Sequence, residues 1–137
     1  MTTKELKDHF ELHIQLENAS AALKNLQDAA VPGAQRLTGM PHAPGIRDKV
    51  GDLAVEIADL QMWISGAEAR MRQSEERVAS FIQTIDDSSL RQDFRLRYLR
   101  YLTWGDIAEI HQWRISEDGL RKRCDRYVRS LEDGNAL

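Results

Sequence analysis

Apolar residues recur along two long stretches of this chain in alternating steps of three and four. The first stretch places Leu12, Leu16, Ala19, Leu23, Leu26 and Ala30 on one stripe. The second carries Val50, Leu53, Ile57, Leu60, Ile64, Ala67, Met71, Val78, Phe81 and Ile85, with Ser74 as the one polar position in the series. This is the spacing of a helix that turns a single seam toward a partner helix. It predicts helices over residues 3–30 and 46–85. Gly66 costs about 1 kcal/mol relative to alanine, less than the seam should supply, so the second helix is expected to run through it. All three prolines, Pro32, Pro41 and Pro44, fall between the two stretches together with Gly33, Gly39 and Gly45. Such a cluster breaks a helix and lets the chain return, which predicts a Pro/Gly loop at 31–45 and a long antiparallel, coiled-coil-like hairpin. At 1.5 Å per residue the second helix is ~60 Å long and the first ~42 Å. The shorter arm cannot cover the longer. Part of the second stripe must therefore meet another element or another copy, and with Met62 and Trp63 as candidates for its outer side a homodimer is expected.

The last third of the chain has a different rhythm. Thr103 is placed to cap a short helix with Asp106 bonding back to it, and Ser116 to cap the next, with Glu117 and Asp118 at the positive helix end. Three apolar faces follow. Leu90, Phe94, Tyr98 and Tyr101 form the first, Trp104, Ile107 and Ala108 the second, and Leu120, Cys124, Tyr127 and Leu131 the third. Period-two alternation, Asn-Gly turns and β-branched runs are missing, so the fold class is all-α. The expected organisation is a helical hairpin over 1–87 and a three-helix domain over 88–137, the latter with helix-turn-helix spacing.

In order, Leu96-Arg97-Tyr98, then Thr103-Trp104-Gly105-Asp106-Ile107-Ala108-Glu109, then Ser116-Glu117-Asp118-Gly119-Leu120-Arg121-Lys122-Arg123 resemble region 4 of the sigma-70 class of transcription factors. The resemblance spans roughly residues 88–131. It implies a helix-turn-helix whose second helix enters a DNA major groove. One departure is visible: Ile110-His111-Gln112-Trp113-Arg114-Ile115 joins the helices without a glycine. A longer turn tilts the second helix, so base preferences do not carry over. The loop segment Leu37-Thr38-Gly39-Met40-Pro41-His42 resembles that of small phage-encoded proteins joining a helical N-terminus to a sigma-like C-terminus. With the whole layout, the chain looks like the ArpU-type phage transcription regulators, which implies a phage or prophage regulator in the cytoplasm of a bacterial host.

Charge is distributed accordingly. The 137 residues sum to −3, yet residues 91–131 hold 10 Lys or Arg against 6 Asp or Glu, while residues 1–90 hold 9 against 14. A basic end on an acidic chain is the footprint expected of a duplex-binding segment. Opposite the third apolar face stand Asp118, Arg121, Lys122, Asp125 and Arg129. Arg121 and Lys122, one turn into the helix, suit base edges, with guanine O6 and N7 as natural targets; Arg114, Arg126 and Arg129 suit phosphates. Asp118 and Asp125 resist nonspecific binding. Double-stranded DNA is the expected partner, and RNA polymerase a further one.

Other chemistries find little support. Cys124 is the only cysteine, so no disulfide forms within the chain, and it is expected to pack on the inner face of the last helix. His9 and His13 are four apart, but Glu11 does not follow the first histidine as a zinc-protease motif requires, and both are expected as surface residues of an amphipathic helix. No metal, cofactor or catalytic residue is expected, and the protein is read as non-enzymatic. No targeting signal and no apolar run near ~20 residues is seen, which argues against a membrane. Two other readings fit the sequence: a DNA-recognition subunit of a phage packaging machine, and a protein-binding adaptor whose helix-turn-helix does not touch DNA.

Overall fold

The structure, a computed structural model, describes residues 1–31 and 44–135. The described residues form five helices and no strand: α1 (Thr3–Ala29), α2 (Pro44–Gln83), α3 (Ser88–Tyr98), α4 (Trp104–Ile110) and α5 (Glu117–Asn135). The fold of the described residues is all-α. α2 runs through Gly66 without a break and is already helical at Pro44, a residue whose fixed φ suits a first helical turn. The remainder of the proline-glycine loop, 32–43, lies outside the described residues.

The chain divides into two compact units, one made of Met1–His13 and Met71–Leu137, the other of Ile14–Arg70. In the second unit the seam is legible residue by residue. Leu16, Ala19, Leu23 and Leu26 of α1 are each partly covered between exposed neighbours, as are Leu53, Ile57 and Leu60 of α2, and Ile64 and Ala67 are buried. Ala30 departs from the stripe and is exposed.

In the first unit the stripe of α2 continues through Met71 and Val78, and Ile85 beyond its end, all buried. These residues belong with the C-terminal helices. Val78, Ile82 and Ile85 share one apolar cluster with Leu6 of α1, Leu90, Phe94 and Tyr98 of α3, and Cys124 and Val128 of α5. Phe94 is its centre, meeting Phe81 and Tyr127 edge-on at centroid distances of 5.8 and 5.9 Å. Offset and edge geometries of this kind suit the ring quadrupoles. A smaller cluster joins Ile107 and Ala108 of α4 to Leu120 of α5.

Two details of the expected faces are corrected. Val128, not Leu131, continues the buried face of α5 after Cys124; Leu131 is exposed. The face shifts because the surroundings change along α5: Leu120 shares a cluster with Ile107 and Ala108 of α4, whereas Cys124 and Val128 share one with Leu6, Val78, Phe94 and Tyr98. Tyr101 is not on the α3 stripe: α3 ends at Tyr98, and Tyr101 sits in the left-handed region at φ 59°.

His9 is also corrected, from a surface residue to one of the two buried polar or charged side chains of the described residues. Its Nε2 lies 2.7 Å from the Tyr98 carbonyl, an oxygen that only accepts, so Nε2 carries the proton. Nδ1 is left as an acceptor, and the Ser74 hydroxyl donates to it at 2.6 Å. Ser74, the polar exception in the α2 stripe, is thus explained by its partner. Burial lowers the pKa of His9, against the opposing pull of the Tyr98 carbonyl and Glu75. Tyr101 completes the cluster by donating to Glu75 Oε1 at 2.6 Å while its ring stacks on His13 at 3.6 Å. Burial, and then the bond to Glu75, push the Tyr101 phenol upward in pKa.

Candidate nucleic-acid interface

The candidate residues stand on α5 and on the turn before it, and local chemistry fixes the three helix starts of this region. Asp87 opens α3 by accepting from the Ser89 and Leu90 amides at 2.9 and 3.2 Å. Thr103 opens α4 with a full capping box: its hydroxyl accepts from the Asp106 amide at 3.0 Å and the Asp106 carboxylate accepts from the Thr103 amide at 3.3 Å. At α5 the Ser116 hydroxyl accepts from the Gly119 amide at 3.0 Å. Orphan amides at each N-terminus are satisfied in this way. Both caps expected from the sequence are present.

The turn between α4 and α5 solves its missing glycine in an unusual manner. Gln112 and Trp113 take left-handed φ values of 57° and 59° in succession. For residues with a Cβ this costs about 1–2 kcal/mol each. The reversal is held by the Gln112 amide donating to the Glu109 carbonyl and the Trp113 amide to the Ala108 carbonyl, both at 2.9 Å. Helix starts also meet closely here. A Cβ at Gly105 would stand 3.0 Å from Glu117 Oε1, so the Glu117 carboxylate, at the start of α5, reaches to the first turn of α4.

Asp93, the other of the two buried polar or charged side chains among the described residues, ties α3, α4 and α5 together. Its Oδ1 accepts from His111 Nε2 at 2.7 Å, at the C-terminal end of α4, and its Oδ2 lies 3.9 Å from Arg123 Nη1 of α5. Arg97 adds a second anchor. Its guanidinium lies 3.7 Å from the Phe10 ring centroid and 4.6 Å from that of Trp104, and donates to the Leu102 carbonyl at 3.0 Å. Two aromatic faces against one guanidinium combine charge and packing. Sequence reasoning missed Asp93, Arg97, His9 and Arg123 as organising residues, because each acts across a long sequence separation.

On the outer side of α5, Asp118, Arg121, Lys122, Arg126 and Arg129 are exposed and Asp125 is half-buried; Arg114, in the turn, is exposed. The structure joins three of them. Asp118 receives Arg121 from one turn on and Lys122 at 2.8 Å from the next position. The bond from Lys122, then that from Arg121, holds the Asp118 carboxyl below its usual pKa, and Asp118 in turn raises Arg121. This i, i+3, i+4 arrangement was present in the sequence spacing. The paired side chains are solvent-exposed, so competition for them is cheap. Beside the turn, Ile110 and Trp113 expose apolar surface, at 57% and 60%.

Cys124 is buried on the inner side of α5, with its thiol pushed up to about 12 mainly by burial. That suits packing rather than reactivity. Among the described residues no group of three or more His, Cys, Asp or Glu is placed to hold a metal ion, and no helix is long and apolar enough to cross a membrane. No protein-family model, curated relative or solved structure matches the chain.

Proposed function

We propose that the chain is a DNA-binding regulator of phage or prophage transcription, acting in the bacterial cytoplasm. Residues 103–131 serve as a helix-turn-helix, with recognition helix 116–131 in the major groove and α3 as the third helix of that domain. α1 and α2 pair as an antiparallel hairpin for self-association or polymerase contact. The observation that carries the reading is the pair of capped helices, α4 and α5, held in close approach at their starts while α5 turns Arg121, Lys122, Arg126 and Arg129 outward. Arg121 and Lys122 leave Asp118 for base edges, Arg114, Arg126 and Arg129 meet phosphates, and Asp118 and Asp125 discourage nonspecific duplex binding.

A second reading has a specific observation in its favour. The exposed Ile110 and Trp113, beside basic residues already matched by Asp118, suit an adaptor that binds protein. One comparison separates the two. After selection of a binding site from random duplexes, Arg121→Ala should cost about 1–3 kcal/mol at that site and relax preference at one position. Arg129→Ala should weaken all duplexes alike and lower the salt slope by about one. If both folded variants bind every duplex as the parent does, or the parent selects none, the adaptor reading replaces DNA recognition. A large ring in solution would favour the packaging-machine subunit instead.

A further inference from the structure

α2 carries a second seam, on the side away from the first. Val55, Ala58, Met62, Ser65 and Ala69 follow one another in steps of three, four, three and four, and all are exposed, Val55 at 60% and Met62 at 76%. Asp59 and Gly66 stand beside Met62 on the same face, one turn to either side. A Cβ at Gly66 would meet only the tip of Arg70, at 4.0 Å. Mid-helix glycine is less favourable than alanine, and nothing in this chain crowds the position. A face that combines bulky exposed apolar residues at one place with small ones at another accepts a closely approaching helix.

The pattern is self-complementary in one direction only. In an antiparallel pair with its two-fold axis near Met62, Val55 of one copy lies against Ala69 of the other, large against small, and Ala58 against Ser65. On one flank of the seam stand Asp52 and Arg70, both exposed. The same axis brings Asp52 of each copy to the level of Arg70 of the other, giving two opposite-charge pairs. In a parallel pair the two-fold axis runs along the helices and puts Asp52 and Arg70 of the two copies on opposite flanks, where they do not pair, and Val55 meets Val55, large against large.

We infer that residues 52–70 of α2 form the contact of an antiparallel, two-fold symmetric homodimer, with Met62 on the axis and the Asp52–Arg70 pairs setting the direction. This deepens the self-association in the proposed function and rests on it, but it does not depend on DNA binding. An isologous contact uses the same patch twice, so each substitution acts twice.

The test is solution mass of the full chain without DNA. The parent should sediment as a dimer of the 15.7 kDa chain at micromolar concentration. Met62→Lys and Gly66→Leu should both give monomers with unchanged helical circular dichroism; leucine at Gly66 meets open space in the monomer, so folding survives. Asp52→Arg and Arg70→Asp should each weaken the dimer at least tenfold alone, and their mixture should form a heterodimer at parental strength. Val55→Cys mixed with Ala69→Cys should cross-link under oxidation, whereas Val55→Cys alone should not. A parental monomer at every concentration, dimers that survive both Met62→Lys and Gly66→Leu, or cross-linking of Val55→Cys to itself would overturn the inference. A dimer that behaves as expected but selects no duplex would leave the inference standing and remove the DNA reading.

Discussion

Asp93 of α3 bonds to His111 at the end of α4 and faces Arg123 of α5, and replacing it measures that restraint. Two interactions are at stake. The bond from His111 Nε2 to Oδ1 is short, at 2.7 Å, and joins a buried carboxylate, a class of bond that contributes about 1.5–3 kcal/mol net. The contact with Arg123 is looser, at 3.9 Å from Oδ2, and Arg123 is nearly a third exposed, which places it with surface ion pairs at about 0.2–1 kcal/mol. Asp93→Ala should therefore lower stability by about 2–4 kcal/mol, most of it through His111. Asp93→Asn keeps an acceptor for His111 but not the charge, so a neutral bond of about 0.5–1.5 kcal/mol remains and the loss is nearer 1–2 kcal/mol. Urea denaturation followed by circular dichroism gives these values. Double-mutant cycles assign them: coupling of Asp93 with His111 should be about 1.5–3 kcal/mol and with Arg123 below about 1 kcal/mol. Coupling to Arg123 equal to or above that to His111 would refute the reasoning, as would a neutral Asp93→Ala.

Three further outcomes are expected. His9 has a pKa lowered from 6.5 by burial, so as pH falls the unfolded chain takes up the proton first: stability should be complete above about 6.5 and decline below it until the folded protein is protonated too, and denaturation midpoints of His9→Gln should lack that contribution. Gln112→Gly relieves a left-handed cost of about 1–2 kcal/mol but adds about 0.5–1 kcal/mol of unfolded-state freedom, so thermal denaturation should show a net gain of about 0.5–1 kcal/mol; a loss would mean that the Gln112 side chain stabilises the turn. Phe94→Ala, emptying the centre of the main cluster, should cost about 3–5 kcal/mol in chemical denaturation, whereas Leu131→Ala should cost far less.

What the sequence revealed and concealed follows the range of each interaction. The seam from Leu53 to Ile85 was legible because helical periodicity is repeated over many turns, and the Thr103 and Ser116 caps because each closes within three residues. The exposure of Arg121, Lys122 and Arg129 followed from the same periodicity. Hidden were the partners brought in from afar. His9 meets Ser74 and Tyr98, 65 and 89 positions away, and no local pattern separates such a histidine from a surface one. Arg97 closes on Phe10 in the same way. The left-handed Gln112 and Trp113 were concealed for another reason: these residue types do not favour that conformation, and the backbone bonds around the turn impose it.

The cluster shared by Leu6, Val78, Phe94 and Val128 also governs the order in which the molecule is made. The Thr3 amide donates to Glu132 Oε1 at 3.1 Å, across 129 positions of sequence. During synthesis at about 5–20 residues per second, residues 1–13 must wait several seconds for α5 to leave the ribosome before their apolar side chains find cover. Until then Leu6 and Phe10 are open to chaperones or to premature association. Ile14–Arg70, by contrast, is a continuous segment and can close on itself early. A ribosome-bound chain stopped near residue 110 should therefore resist protease within residues 14–31 and 51–70 and remain open at its first dozen residues.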